Sequence, residues 1–217
     1  LTGGVDYLLD DVEHSAVVGF DGSVSEYEEV DRVTESAFIS SQFNFSGFIG
    51  ELTGRYDDVE NVKGYGTFNA SLGYAFNDRI TISVNRSKGF KAPTFNDLYY
   101  PGSGNPDLQF ETSDNVELIY KGNFGASFLT VSIFDSEIEN LIQWAPNAQG
   151  FWFPANVGTA EISGMDFSYA VTQGDYTHKV SGDIIDAVDT SSPFGDADLI
   201  RRAKNHFGYE LGFTGES

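Results

Sequence analysis

The chain has 217 residues, 12 Lys and Arg against 33 Asp and Glu, and a formal net charge of −21, a balance that argues against the clustered cations a nucleic-acid partner requires. It has no cysteine, which excludes disulfides, thiolate metal sites and a cysteine nucleophile. No apolar run reaches the roughly 18 residues of a membrane-spanning helix, and the opening "LTGGVDYLLDD" lacks the basic start and apolar middle of a signal peptide.

High Gly, Phe and Tyr content points to an aromatic-rich all-β chain, and about ten strands are predicted in order. The first lies at 2–12. After a connector at 13–32 come strands at 33–44 and 47–57, joined only by Phe45 and Ser46. A connector at 58–63 leads to 64–76, where Gly66, Phe68, Ala70, Leu72, Tyr74 and Phe76 share one face and Tyr65, Thr67, Asn69, Ser71 and Gly73 the other. Asn77 and Asp78 form a hairpin signal into 79–89, where Ile80, Ile82 and Val84 oppose Thr81, Ser83, Asn85 and Ser87. A long connector at 90–113 precedes strands at 114–121 and 125–142, joined by 122–124. A connector at 143–157 precedes strands at 158–171 and 175–188, joined near 173–175. The connector 189–200 leads to the last strand, 201–213.

These connectors alternate between short and long. In an up-and-down antiparallel sheet every second connector lies at the same end, so the tight turns collect at one end and the long loops at the other. That asymmetry is characteristic of outer-membrane barrels. Strand length agrees: eleven residues at about 3.3 Å each, tilted about 40°, span roughly 28 Å. The expected fold is an all-β antiparallel meander forming part of a transmembrane β-barrel. A smaller barrel, closed on itself or by self-association, is the alternative.

In a wide barrel the apolar faces meet lipid and the polar ones line the lumen. That assigns Phe48, Leu52 and Tyr56 to lipid, with Glu51, Thr53, Arg55 and Asp57 to the lumen. Near the end of the chain, Phe207, Tyr209, Leu211 and Phe213 face out, opposite His206 and Glu210. Periodicity alone leaves the reverse open, since a small soluble barrel turns its apolar face inward.

The connector and the strand after it read "GFKAPTFNDLYYPGSGNPDLQFETSDNVELIYK" (89–121). This resembles a block of TonB-dependent outer-membrane transporters: F-R-A-P, then L-Y, then G-N-P-x-L-x-P-E, then a strand opening with a Glu-Leu pair. Phe90, Lys91, Ala92 and Pro93 match with Lys in place of Arg. Leu98, Tyr99, Gly104, Asn105, Pro106, Leu108 and Glu111 also match, whereas Phe110 stands where the family usually has proline. "SIFDSEIENLIQW" is similar to the family's next strand. "NVGTAEISGMDFSYA" resembles a later one, with Asn156, Gly158, Ala160, Ile162 and Gly164 kept and Asp166 where Glu is usual. The run "LIRRAKNHFGYELGF" is most similar to the cobalamin branch.

The resemblance implies a 22-stranded barrel in a Gram-negative outer membrane, enclosing a plug domain, contacting TonB and binding cobalamin or a ferric siderophore. Residues 1–217 read as a partial barrel domain without the plug, not transport-competent alone. The alternative function is a soluble or self-associating β-sheet binding module.

No catalytic constellation is predicted: there is no G-x-S-x-G elbow, and the chain reads as a non-enzyme without cofactor. His14, His178 and His206 are too dispersed for a metal site. The acidic groups Asp6, Asp10, Asp11 and Glu13, and Asp196 with Asp198, lack the spacing of a known calcium loop and read as solvated rim. Lys91 has two readings, a lumen charge or a neighbour of the ladder-ending Pro93, with Phe90 anchoring the loop. Ligand contact is assigned to aromatics expected on long loops: Tyr99, Tyr100, Trp144 and Trp152.

Overall fold

The computed structural model describes residues 1–13, 15–60, 63–146, 150–191, 197–199 and 203–215. The strands are β1 (Thr2–Val12), β2 (Ala16–Val18), β3 (Val24–Glu26), β4 (Val30–Phe45), β5 (Phe48–Val59), β6 (Lys63–Ala75), β7 (Ile80–Lys91), β8 (Glu111–Asn123), β9 (Ser127–Pro146), β10 (Trp152–Gln173), β11 (Tyr176–Asp189), β12 (Ala197–Asp198) and β13 (Asn205–Phe213); helix α1 (Phe95–Tyr99) lies between β7 and β8. Among the described residues eleven strands form one antiparallel meander in the order β1-β4-β5-β6-β7-β8-β9-β10-β11, with β12 and β13 both paired to β11. The sheet is open, and β2 and β3 make a separate hairpin.

The tight turns are those alternation predicts; Asn77-Asp78 and the turn at 174–175 fall where expected, and two others are displaced by a residue or two. The β4–β5 turn is Ser46 and Gly47 rather than Phe45 and Ser46. Both turn residues have positive φ, 52° and 84°, the combination whose twist matches paired strands. Between β8 and β9 the turn falls at 124–126 instead of 122–124, because Gly125 supplies the positive φ.

The opposite end departs further from expectation. The connector expected at 143–157 is mostly strand: β9 and β10 run 20 and 22 residues, pairing as far as Trp152 with Pro146. Trp144, Trp152 and Phe153 continue the β-prone pattern into the segment expected as a connector. Residues 15–29 carry the β2–β3 hairpin, and 92–110 contain α1. The predicted strand 201–213 begins at Asn205; Arg201 and Arg202 lie outside the described residues, as do His14 and Asp196.

Register sorts side chains into two faces. Across β7 to β11, Val84, Leu118, Ile133, Met165 and Ile184 stand opposite one another in a single apolar row. Two residues further toward the long-connector end, the same face carries Arg86, Val116, Asp135, Ser163 and Asp186, and then Lys88, Asp114, Glu137, Glu161 and Val188. Within these two rows, apolar surface therefore gives way to charge on each of the five strands. Large apolar residues on this face, including Phe48, Leu52, Tyr56, Leu72, Ile133, Phe207 and Leu211, are exposed rather than packed into a core.

The other face is mostly polar over β4 to β8, with Ile49 and Ile119 among its polar neighbours. Gln42, Glu51, Asn69, Ser71, Thr81, Ser83, Asn85 and Lys121 line a groove of about 720 Å³, and Thr53, Arg55 and Asp57 line a second. Arg55 bridges Asp6 at 2.7 Å and Asp57 at 2.8 Å, and Ser36 donates to Asp57 at 2.6 Å. At the far side this face is not uniformly polar: a small core of Leu141, Ala160, Ala187 and Leu199, backed by Ile138, Ile162 and Ile185, forms where the chain after β11 folds back.

Candidate functional site

The site is built around the 92–110 connector, and its first fixed point is local. Pro93, fully buried, biases its predecessor away from helix, and Thr94 takes an extended conformation (φ −75°, ψ 162°) as the N-cap of α1. Thr94 Oγ1 accepts from the Asp97 amide at 3.2 Å, while Asp97 Oδ2 accepts from the Thr94 amide at 3.0 Å and its hydroxyl at 2.6 Å, a reciprocal capping box. The chain after the helix then folds back on it. Ser103 and Gly104 amides donate to the Tyr100 carbonyl, and the Asn105 amide donates to the Asp97 carbonyl at 2.8 Å. Only glycine fits at 104, since a Cβ there would lie 2.5 Å from the Leu98 carbonyl oxygen.

Side chains then tie this loop to strands on both sides. Arg32 on β4 donates to the Pro93 carbonyl at 2.8 Å and lies 4.8 Å over the Phe95 ring. Asn105 donates to the Pro154 carbonyl on β10 at 3.0 Å. Asn156 accepts from the Gln109 amide and donates to the carbonyls of Gln109 and Asn140. Glu111 accepts from the Ile142 amide at 2.8 Å and from Lys91 at 3.1 Å. Lys91 is thus held in an ion pair with Glu111 across β7 and β8. Phe90, Tyr65 and Phe110 form a three-ring cluster with centroids 5.0 to 6.0 Å apart, so the phenylalanine at the unusual position contributes a ring that proline could not.

Two of the four aromatics assigned to ligand contact are brought together. Tyr100 meets Trp144 edge-on at 5.5 Å, and Tyr27, from the segment before β4, meets Tyr100 at 6.0 Å. The Tyr27 hydroxyl donates to Asn96. Tyr99 stacks on Phe95 at 6.3 Å, beside a groove of about 500 Å³ lined by Glu26, Glu28, Tyr99, Tyr100 and Ser103. Trp152, 48 % exposed on the β9–β10 extension, joins neither stack. Trp144 and Trp152 thus stand on strands, not on the loops expected for them.

The electrostatic centre is Asp97, only 8 % exposed. Its Oδ1 accepts the Trp144 indole N–H at 2.8 Å. Burial works against its ionisation, yet hydrogen bonds from the Thr94 hydroxyl, the Trp144 indole and the Thr94 amide, with the charge of Lys91, hold its carboxyl below the usual range. Burial, with Tyr100 beside it, pushes the Tyr27 phenol up. Sequence reasoning missed Tyr27, Arg32 and Asp97. The signal for Asp97 was present, since "TFND" has the Thr-x-x-Asp spacing of a capping box. Among the remaining histidines, His178 hydrogen-bonds Tyr209 at 2.8 Å and His206 lies 3.4 Å from Asp183.

Comparison with known proteins places this geometry. Residues 1–215 match the family model described as TonB dependent receptor-like, beta-barrel. The chain is 33 % identical over 220 residues to the vitamin B12 transporter BtuB of Photobacterium profundum, covering all of this chain and 34 % of that protein. It is 34 % identical over 210 residues to the one of Vibrio vulnificus, covering 96 % and 33 %. The chain spans about a third of the length of these curated relatives. Among solved structures, the siderophore receptor PirA of Pseudomonas aeruginosa superposes with a TM-score of 0.70 at 15 % identity, over 88 % of this chain and 39 % of that one. The ferric enterobactin receptor PfeA, crystallised with BCV-L6, gives 0.71 at 14 % identity, over 97 % and 36 %.

Proposed function

The chain belongs to the TonB-dependent receptor β-barrel family, and from that premise we propose that it forms part of the wall of a Gram-negative outer-membrane transporter whose nutrient is vitamin B12. The observation that carries this reading is the two-faced sheet: an exposed apolar face that turns to charge within two successive rows on five strands, opposite a mostly polar, grooved face. In water, so large an apolar surface is a strong liability; against lipid it is the favourable state. Leu72, Ile133 and Leu211 then meet acyl chains, and the row beginning with Arg86 marks the headgroup level.

The polar face lines the lumen, where the plug domain of the intact transporter is received, and TonB supplies the coupling from the inner membrane. No chemical conversion is assigned to the wall, whose contribution is binding and passage. Vitamin B12 is preferred to a siderophore because identity to the vitamin B12 transporters is about twice that to the siderophore receptors, which support the fold alone. Contact is assigned to Tyr99, Tyr100, Trp144 and Trp152 at the long-connector end, with Tyr27 completing the stack.

The test is equilibrium binding of radiolabelled vitamin B12 to outer membranes containing the protein, against ferric enterobactin as competitor. Saturable vitamin B12 binding that the siderophore does not displace supports the assignment. Displacement by the siderophore moves the ligand to the other branch, and a protein recovered soluble and self-associated without detergent contradicts the membrane reading itself.

A further inference from the structure

The aromatic stack is held by a residue that belongs to neither ring. Asp97 divides its two carboxylate oxygens: Oδ2 closes the capping box with Thr94, whereas Oδ1 reaches across to the indole N–H of Trp144 on β9. Capping α1 needs only the first of these. The second acts on a half-buried ring on an extended strand and restrains its two side-chain torsions. A charge-assisted bond to a buried carboxylate fixes the indole plane, and the Tyr100 and Trp144 rings meet edge to face at 77°. The Asp97 backbone contributes too, since its carbonyl accepts the Asn105 amide that closes the loop.

We propose that Asp97 is a positioning residue for ligand binding: by holding the Trp144 indole, and through it Tyr100, it presents the two rings as one fixed surface to the nutrient. This rests on the reading that these rings contact vitamin B12. Preorganising rotamer-rich side chains before binding lowers the ordering cost that association otherwise carries. A residue acting only through helix stability would affect binding whatever stood at position 144, which separates the two roles.

The experiment is a double-mutant cycle on vitamin B12 affinity, measured on the protein in outer membranes. Asp97→Asn removes the charge and leaves one acceptor oxygen where Trp144 and Thr94 use two, and is expected to weaken binding about 10-fold. In a Trp144→Phe background, where the donor is gone and a ring remains, the same change is expected to cost less than about 2-fold. An equal loss in both backgrounds overturns the proposal, as does a Thr94→Val variant that weakens binding as much as Asp97→Asn.

A spectroscopic arm is independent of ligand. In a Trp152→Phe background, the difference in emission between matched variants reports on Trp144: Asp97→Asn is expected to shift it and Thr94→Val is not. If the protein binds no vitamin B12, the ligand reading fails. Unchanged emission on Asp97→Asn overturns the positioning role whatever the ligand result.

Discussion

The indole N–H of Trp144 donates to Oδ1 of Asp97 at 2.8 Å, joining a strand and a loop helix that lie 47 residues apart in sequence. Acid should therefore loosen this end of the molecule before the sheet. A carboxyl whose folded pKa is depressed contributes stability that is fully present above its unfolded value, about 3.9, and lost as pH falls through the folded one. Trp144 emission in the Trp152→Phe protein is expected to stay constant from about pH 7 to 5 and to change only below about pH 4. Asp97→Asn should abolish that step.

Gly104 and Gly102 separate two kinds of glycine requirement. A Cβ at 104 meets backbone of Leu98 and Tyr100 at 2.5 to 2.8 Å, whereas at 102 it meets nothing within 4 Å and the difficulty is φ of 75° alone. Gly104→Ala should destabilise the loop by about 1–3 kcal/mol, as overpacking does. Gly102→Ala should cost about 1 kcal/mol. Amide hydrogen exchange over 92–110 should rank them in that order, leaving β5 to β7 unaffected.

Asn156 accepts from the Gln109 amide and donates to two carbonyls, those of Gln109 and Asn140. Asn156→Asp keeps the acceptor and removes both donors, placing a carboxylate against carbonyl oxygens. Loss of about 1–3 kcal/mol of local stability is expected, read as faster proteolysis of the 92–110 loop in intact membranes, with the strands still protected.

Leu72 stands on the apolar face of β6 and its neighbour Ser71 lines the polar groove. Leu72→Arg should cost about 2–4 kcal/mol if the face lies in hydrocarbon, and Ser71→Arg much less. Urea unfolding of the protein reconstituted in lipid vesicles measures both.

Most of the sheet was legible because alternation is a property of single strands. "GYGTFNASLGYAF" already sorts Leu72 from Ser71, and short turns such as Asn77-Asp78 declare themselves by composition. The candidate site was legible only in part. Tyr100 and Trp144 could be named as aromatics, but their meeting depends on Asp97, whose partner lies on another strand, and on Tyr27, which no local pattern connects to them. The β9–β10 extension was missed for a related reason: Pro146 and Pro154 suggest a loop, yet both sit within strands whose neighbours sustain the pairing.

The central claim is that one face of this sheet meets lipid and the other a wet lumen. Because the chain contains no cysteine, single cysteines placed in turn at positions 69 to 74 can be tested in intact outer membranes with a water-soluble thiol reagent. Alternation is expected: positions 69, 71 and 73 react, while 70, 72 and 74 are protected until detergent is added. Uniform labelling at all six positions, or alternation in the opposite phase, would contradict it.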